Sequence, residues 1–228
     1  MKAVPYASAV GSLQYAQVCT RPDLNFVTGI LCRYQSNLGQ THWIMVKKAL
    51  RYVQDTKGLM LTYRKSESLK IEGYSDSDFV VDVDNRKSTS GYIFTLAKGA
   101  ILWKRSKQSV TASSAMYAEF VACYEASGQV TWLKKFVPGL RVVDSIEKSL
   151  KLYCDNELAV FYAHNNKSSS AAKHIDIKFY VIKEQVQDQT ICLEHIRTDK
   201  MLADPLTKGL SSSVFIEHLA DMGLRESL

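Results

Sequence analysis

Residues 71–79 read IEGYSDSDF. Ile71 and Gly73 alternate with Glu72 and Tyr74, the two-residue period of a strand, and the alternation stops at Asp76 and Asp78. A strand that ends in carboxylates suits a cation site, because the sheet fixes the backbone while the tip stays open to water. The same residues also suit a turn, since Asp and Ser hydrogen-bond their own backbone. The choice between the two depends on what the rest of the chain brings to that tip. Asp78 is expected to have entered the following loop and to point away from Asp76.

On either side of this stretch the pattern is that of strands. Leu59, Leu61 and Tyr63 alternate ahead of it. Residues 80–91, VVDVDNRKSTSG, read as a loop, and residues 91–104, GYIFTLAKGAILWK, as a hairpin around Ala97, Lys98 and Gly99. Further on, helical and strand periods alternate. Ser113 and Ser114 introduce a helix in which Ala115, Ala118, Ala122 and Ala126 share a face, with Glu119 at its edge. Glu119 is either a solvated acid favoured by the helix dipole or a buried group in need of a partner. Residues 149–154 alternate as a strand that ends at Asp155 and Asn156, followed by a short helix, ELAVFYAH. A loop at 168–172 precedes a longer helix with Ile175, Phe179, Ile182 and Val186 on its apolar face. ICLEHI is a further strand, Asp204 stands before Pro205 near a helix start, and SSVFIEHLADMGL is a last amphipathic helix.

Upstream, residues 5–54 read as helical. Leu24, Val27, Leu31 and Tyr34 recur at helical spacing after Pro22. Thr41 is the expected N-cap of a second helix that turns Ile44, Val46, Leu50 and Val53 to a core and ends at Gly58. The expected division is a helical segment over 1–57 and an α/β domain over 58–228.

The chain has 228 residues, a hydrophobic share of 46% and a charged share of 23%, the balance of a globular protein. No apolar run reaches the roughly 18 residues of a membrane helix, and the first residues lack the apolar core of a signal peptide. Five cysteines without a CxxC pair read as reduced thiols of an intracellular protein. A net charge of +6 is compatible with a polyanionic partner.

Asp76, Glu119, Asp155 and Asp204 each have a local explanation, but a mixed sheet can bring all four to one edge. Four carboxylates in one small site repel unless cations neutralise them. Oxygen donors favour Mg²⁺ or Mn²⁺ over zinc, and a pair of such ions suits phosphodiester hydrolysis.

The runs GYSDSDF, DNRKSTSGYIF, AEFVA, LYCDN, KHIDIKFYVIKE and ADPLTK resemble the ribonuclease H domain that closes the polyprotein of copia-type retrotransposons. The earlier run YASAVGSLQYAQVCTRPDLNFVTGILCRYQSN resembles the segment between the reverse transcriptase palm and that domain. The likeness extends from about Val4 to Leu210. It implies a ribonuclease H-like five-stranded mixed sheet flanked by helices, with an N-terminal helical segment. It also implies that Asp76, Glu119, Asp155 and Asp204 bind two Mg²⁺ ions, with Mn²⁺ as substitute, one near Asp76 and Asp204 and the other near Asp76, Glu119 and Asp155. The implied activity is hydrolysis of the RNA strand of an RNA–DNA hybrid, in a cytoplasmic particle or the nucleus, with the polymerase part of the same polyprotein as a partner and no membrane. Val81 stands where relatives carry Gly, and Ala171 and Ala172 stand where they carry Arg and a hydroxyl residue. SSAMYAEF is an unusual lead into the glutamate, and none of these departures removes an expected ligand. The polymerase YxDD motif is absent.

Arg86, Lys87, Lys104, Arg105 and Lys107, with Lys134 and Lys135, are candidates to follow substrate phosphates, and Trp103 either stacks on substrate or packs. His195 is expected within the last strand as a partly exposed histidine, with help to the leaving product, as in cellular ribonucleases H, the alternative. His174 is expected in the family motif or at a helix start, and neither is expected to bind metal. A second reading is a scaffold or binding fragment without chemistry, whose Leu24, Val27 and Leu31 form an exposed partner surface.

Overall fold

The computed structural model describes residues 4–64, 69–82, 86–140, 149–165 and 177–226. The expected loop at 168–172, with Ala171 and Ala172, and also His174 and Ile175, lies outside them.

The chain opens on α1 (Tyr6–Cys19), a 3₁₀ turn at Pro22–Leu24, α2 (Asn25–Leu31) and α3 (Gln40–Asp55). Pro22 starts the turn because its fixed φ and missing N–H are tolerated at a helix start. Tyr6, Val10, Leu13, Leu31, Val46 and Ala49 form a core of their own among these helices. The α3 N-cap is Gly39 and not the expected Thr41: His42 Nδ1 reaches back to accept the Gly39 N–H at 3.0 Å. Of the expected α3 stripe Val46 is buried and Val53 packs on this core, while Ile44 and Leu50 are exposed and Ala49 is buried beside them.

β1 (Leu59–Leu61) lies outside the main sheet and pairs antiparallel with β7 (Leu224–Glu226). The main sheet holds β2 (Ile71–Asp82), β3 (Lys87–Leu96), β4 (Gly99–Lys107), β5 (Leu150–Cys154) and β6 (Ile191–His195), in the order β4-β3-β2-β5-β6. β2, β3 and β4 form an antiparallel meander, while β5 and β6 add in parallel. Parallel neighbours need crossovers, and these are helical: α4 (Ala115–Gly139) links β4 to β5, and α5 (Glu157–His164) and α6 (Ile177–Gln187) lie between β5 and β6. This is the five-stranded mixed sheet flanked by helices that the resemblance implies. α7 (Asp204–Thr207) and α8 (Ser212–Asp221) follow β6.

β2 does not stop at the aspartates. It runs to Asp82, with Asp76 opposite Gly91 and Asp78 opposite Thr89, so most of the expected loop over 80–91 is strand. Main-chain pairing with β3 holds the acids in extended backbone, which overrides the turn preference of Ser and Asp. The β3–β4 turn is as expected, with Ala97 and Lys98 both at positive φ (53° and 60°), the geometry of a two-residue hairpin turn.

Side chains alternate, so each strand offers two faces. On one face Phe94, Leu150, Leu152 and Leu193 meet Phe120, Val130 and Leu133 of α4, Ala159 of α5 and Ile182 of α6. Each such large side chain contributes about 1.5–3 kcal/mol on burial. On the other, Ile93 and Ala100 pack with Met201, Leu202, Ala203, Leu206 and Met222. The α4 stripe is as expected at Ala118, Ala122 and Ala126, all fully buried, while Ala115 is exposed. The helical segment joins the second face at β4, where the Trp103 indole Nε1 donates to the Gln17 carbonyl at 3.0 Å.

Candidate active site

β5 pairs with β2 only as far as Ser75 opposite Cys154. β2 runs on beyond that point, and the first residues past the end of the pairing are Asp76 on β2 and Asp155 after β5. Asp76 is fully buried, on the face that α7 covers. Thr207 and Lys208 both hold it: the Thr207 hydroxyl donates to Asp76 Oδ2, and Lys208 Nζ donates to Asp76 Oδ1 at 2.9 Å. The same Nζ donates to Asp204 Oδ1 at 3.2 Å.

Glu119 comes from the other face. Ser114 caps α4 by accepting the Tyr117 N–H, which places Glu119 one turn in, and it is buried and not solvated. Ser77 points toward α4 because it alternates with Asp76. Its backbone N–H and its hydroxyl donate to Glu119 Oε1 at 3.1 and 2.7 Å.

Carboxylate oxygens of Asp76, Asp155 and Asp204 lie within 4.8 Å of one another, and Glu119 and Asp155 form a similar group with the Cys154 sulfur. Opposite ligands of one Mg²⁺ stand about 4.2 Å apart for bonds near 2.1 Å, so this cluster could hold a divalent metal after small side-chain shifts. An ammonium already bridges two of the acids, and the predominance of oxygen donors matches a hard cation. The four expected acids are therefore brought together. Their electrostatics are those of a crowded, buried cluster. Burial raises Asp204 to about 7, helped by the charge of Asp76. Burial and then Asp76 push Glu119 well above the usual carboxylate range. Burial also raises Asp76, against the pull of Lys208.

Asp78 does not point elsewhere. Two residues along a continuing strand it shares the face of Asp76, where burial raises its pKa and Lys208 and Asp76 act on it. Thr198, whose hydroxyl donates to Asp155 Oδ2 at 3.2 Å, joins the site with Ser77, Thr207 and Lys208. None of these four was singled out from sequence. The last two had a signal, since they stand three and four residues after Asp204 in ADPLTK, the spacing that shares a helix face. His195 closes β6 opposite Cys154 and is exposed.

The expected phosphate-binding cations separate. Arg105 is not on the surface: its guanidinium lies over the Phe26 ring and against Gly29, and burial lowers its pKa to about 10. Lys104 alternates to the α4 face, where its charge acts on Glu125. Trp103 packs on α1. Lys107, by register with Thr89 and Asp78, keeps the face of the acids. Arg86 is exposed just ahead of β3, and Lys87 Nζ donates to the Ser109 carbonyl at 3.0 Å. On the far helix, Lys134 Nζ donates to the Thr190 carbonyl at 3.4 Å and Lys135 is exposed. Leu24 and Leu31 are fully buried and Val27 half-buried, so they form no exposed partner surface. Among the described residues no helix is long and apolar enough to cross a membrane.

Over 215 residues, 94% of its length, the chain is 40% identical to the retrovirus-related Pol polyprotein from transposon TNT 1-94 of Nicotiana tabacum. It is 32% identical over 219 residues, 96% of its length, to the corresponding polyprotein from transposon RE1 of Arabidopsis thaliana. The chain belongs to the retrovirus-related transposon Pol polyproteins. It spans only 16% and 15% of the length of these two Pol polyproteins. A shorter relative outside the named Pol polyproteins is the secreted RxLR effector protein 161 of Plasmopara viticola, 43% identical over 133 residues, which are 58% of this chain and 94% of that protein. Among solved structures, LC11-RNase H1 isolated from compost superimposes with a TM-score of 0.46 at 18% identity, over 67% of this chain and 99% of that one. No family model matches the chain.

Proposed function

We propose that this segment is the ribonuclease H portion of its Pol polyprotein and hydrolyses the RNA strand of RNA–DNA hybrids. The observation that carries this reading is the meeting of Asp76, Glu119, Asp155 and Asp204 where β5 ends and β2 runs on. These four would hold two Mg²⁺ ions, with Mn²⁺ as substitute, and such ions when bound supply an activated water and stabilise the leaving oxygen of a phosphodiester. The chain's own contribution is preorganisation. Ser77 fixes one oxygen of Glu119, Thr207 fixes one of Asp76 and Thr198 one of Asp155, so three of the four carboxylates are held in place around the ends of β2 and β5. Asp155, less buried than Asp76, leaves the site open on the side where a strand of nucleic acid could lie. Arg86, Lys87 and Lys107 remain candidates for phosphate contacts, and hybrid would be recognised through its backbone shape and the RNA 2′-OH groups. The polymerase portion of the polyprotein is the proposed protein partner.

The test is incubation with a hybrid labelled on its RNA strand, beside duplex DNA, with Mg²⁺ or with excess EDTA. RNA cleavage in Mg²⁺ alone, with the DNA duplex left whole, is the expected result. Activity that persists in EDTA, or no cleavage at any Mg²⁺ or Mn²⁺ concentration, overturns the reading.

A second reading draws support from the effector relative, since 133 residues of similar sequence make up nearly all of a protein named as secreted. On that reading the fold serves binding without turnover. Hybrid retention in a filter assay without any cleavage in the same sample would favour it.

A further inference from the structure

Lys208 is the cation of the acid cluster in this structure. Its Nζ stands 2.9 Å from Asp76 Oδ1 and 3.2 Å from Asp204 Oδ1, between two carboxylates that are 0% and 6% exposed. Two buried acids so close together need a compensating charge, and among the described residues Lys208 supplies it by ion pairing to both. The same two carboxylates are the ones a divalent ion would use on the Asp76–Asp204 side of the site. An ammonium and a divalent ion compete for them, because the two cations repel each other at that range.

Lys208 is also built to leave. It is the C-cap of α7 with extended backbone (φ −122°, ψ 155°), so the helix does not fix its direction. Its flexible four-carbon stem borders a cavity of about 300 Å³ between α7 and the helical segment, lined by Leu24, Phe26, Tyr52, Pro205 and Phe215. That space leaves the stem room to move away from the two acids.

We propose that Lys208 is a built-in counter-cation which a divalent ion must displace from Asp76 and Asp204, so that this lysine sets the affinity of the site for metal. The inference rests on the ribonuclease reading but goes beyond it, by assigning a positioning role to a residue that is not a ligand.

Mn²⁺ binding, followed by titration calorimetry on the full chain, tests it without any substrate. Lys208→Met removes the competing charge and keeps the stem, and should bind Mn²⁺ at least about tenfold more tightly than the parent. Lys208→Arg, which keeps the charge, should bind no more tightly than the parent. Lys200→Met, the loss of an exposed charge, should stay within about twofold of it. In EDTA the melting temperature of Lys208→Met should fall, and its rise on adding Mn²⁺ should exceed the parent's. If Lys208→Met does not fold, Lys208→Gln carries the same expectations. Parent binding with equal or weaker binding in the neutral variant overturns this inference alone. Binding by neither overturns it together with the metal-dependent reading. Binding by the neutral variant but not by the parent supports it in its strongest form.

Discussion

Gly91 and Thr207 meet across the face of the sheet that carries Asp76. A Cβ built on Gly91 would stand 2.5 Å from Thr207 Cγ2 and 3.3 Å from Leu206 Cβ. Gly91 is also the residue opposite Asp76 in the ladder. The absent side chain is therefore what lets α7 approach closely enough for Thr207 and Lys208 to reach Asp76.

Gly91→Ala should push α7 off the sheet. Overpacking of this kind costs about 1–3 kcal/mol, so the urea midpoint should drop with little change in slope. Mn²⁺ affinity should fall with it, because Asp204 moves with α7. An alanine variant with parental stability and parental metal affinity would show that the close approach is not needed.

Asp155 is the most open of the four acids, and Asp155→Asn keeps its shape and its capacity to accept from Thr198. Hybrid cleavage should slow by at least about a hundredfold, or roughly 2.7 kcal/mol of barrier. The melting temperature in EDTA should change little. Single-turnover rates at saturating hybrid distinguish this from weakened binding, and a parental rate would remove Asp155 from the chemistry.

The raised acids make a signed prediction about pH. Asp204 titrates near 7 in the fold against an ordinary 3.8, and Asp76 and Glu119 are displaced in the same direction. Between those two values the native chain holds protons that the unfolded chain has released. Stability from this cluster is therefore full below about pH 4 and is lost as pH rises through about 7. Other acids, such as Glu194 held low by Lys151, act in the opposite sense, so the quantity to follow is parent minus Asp204→Asn. In EDTA that difference in melting temperature should become less favourable to the parent from pH 4.5 to 7.5 and then level off. Added Mn²⁺ should restore the parent most at the upper end, since ligation needs the carboxylates ionised. A difference that is flat, or that favours the parent as pH rises, contradicts the picture of a crowded metal-free cluster.

What could be read in the sequence follows from how local the cause is. The order of strands and helices was legible because each element has its own period, and Asp76, Glu119, Asp155 and Asp204 stood out because each interrupts or borders such a period. The continuation of β2 through Asp78 to Asp82 was not legible, because partners on β3 hold those residues extended against their own preference for turns. The covering of Arg105 by Phe26 and Gly29 depends on two segments more than 70 positions apart in the numbering, which no local pattern reports. Lys208 was visible in ADPLTK, but a lysine four residues after an aspartate on a helix reads first as a surface ion pair. Only the packing of α7 over Gly91 turns it toward a second, buried acid.

The last prediction concerns the helical segment. Asp23 has a side chain fully shielded from solvent; it accepts from Arg21 Nε at 2.9 Å and Nη2 at 2.7 Å, and from the Tyr52 hydroxyl at 2.7 Å. Arg21 continues the link to Thr56, at its hydroxyl and its carbonyl, so one ion pair ties the start of the 3₁₀ turn to the end of α3. Asp23→Ala leaves the Arg21 charge buried and unpaired, a change of about 3–5 kcal/mol. Tyr52→Phe removes one hydrogen bond and should cost about 1 kcal/mol. Because α1, α2 and α3 have a core of their own, the damage should stay largely within them. Amide exchange should quicken across α1 and α3, and at β4 beneath Trp103, while β2 and β5 keep the protection of the main core. Uniform acceleration through β2 and β5 would show that the helical segment and the sheet unfold as one cooperative unit. Unchanged exchange in α3 would show that the Asp23 cluster does not hold the segment in place.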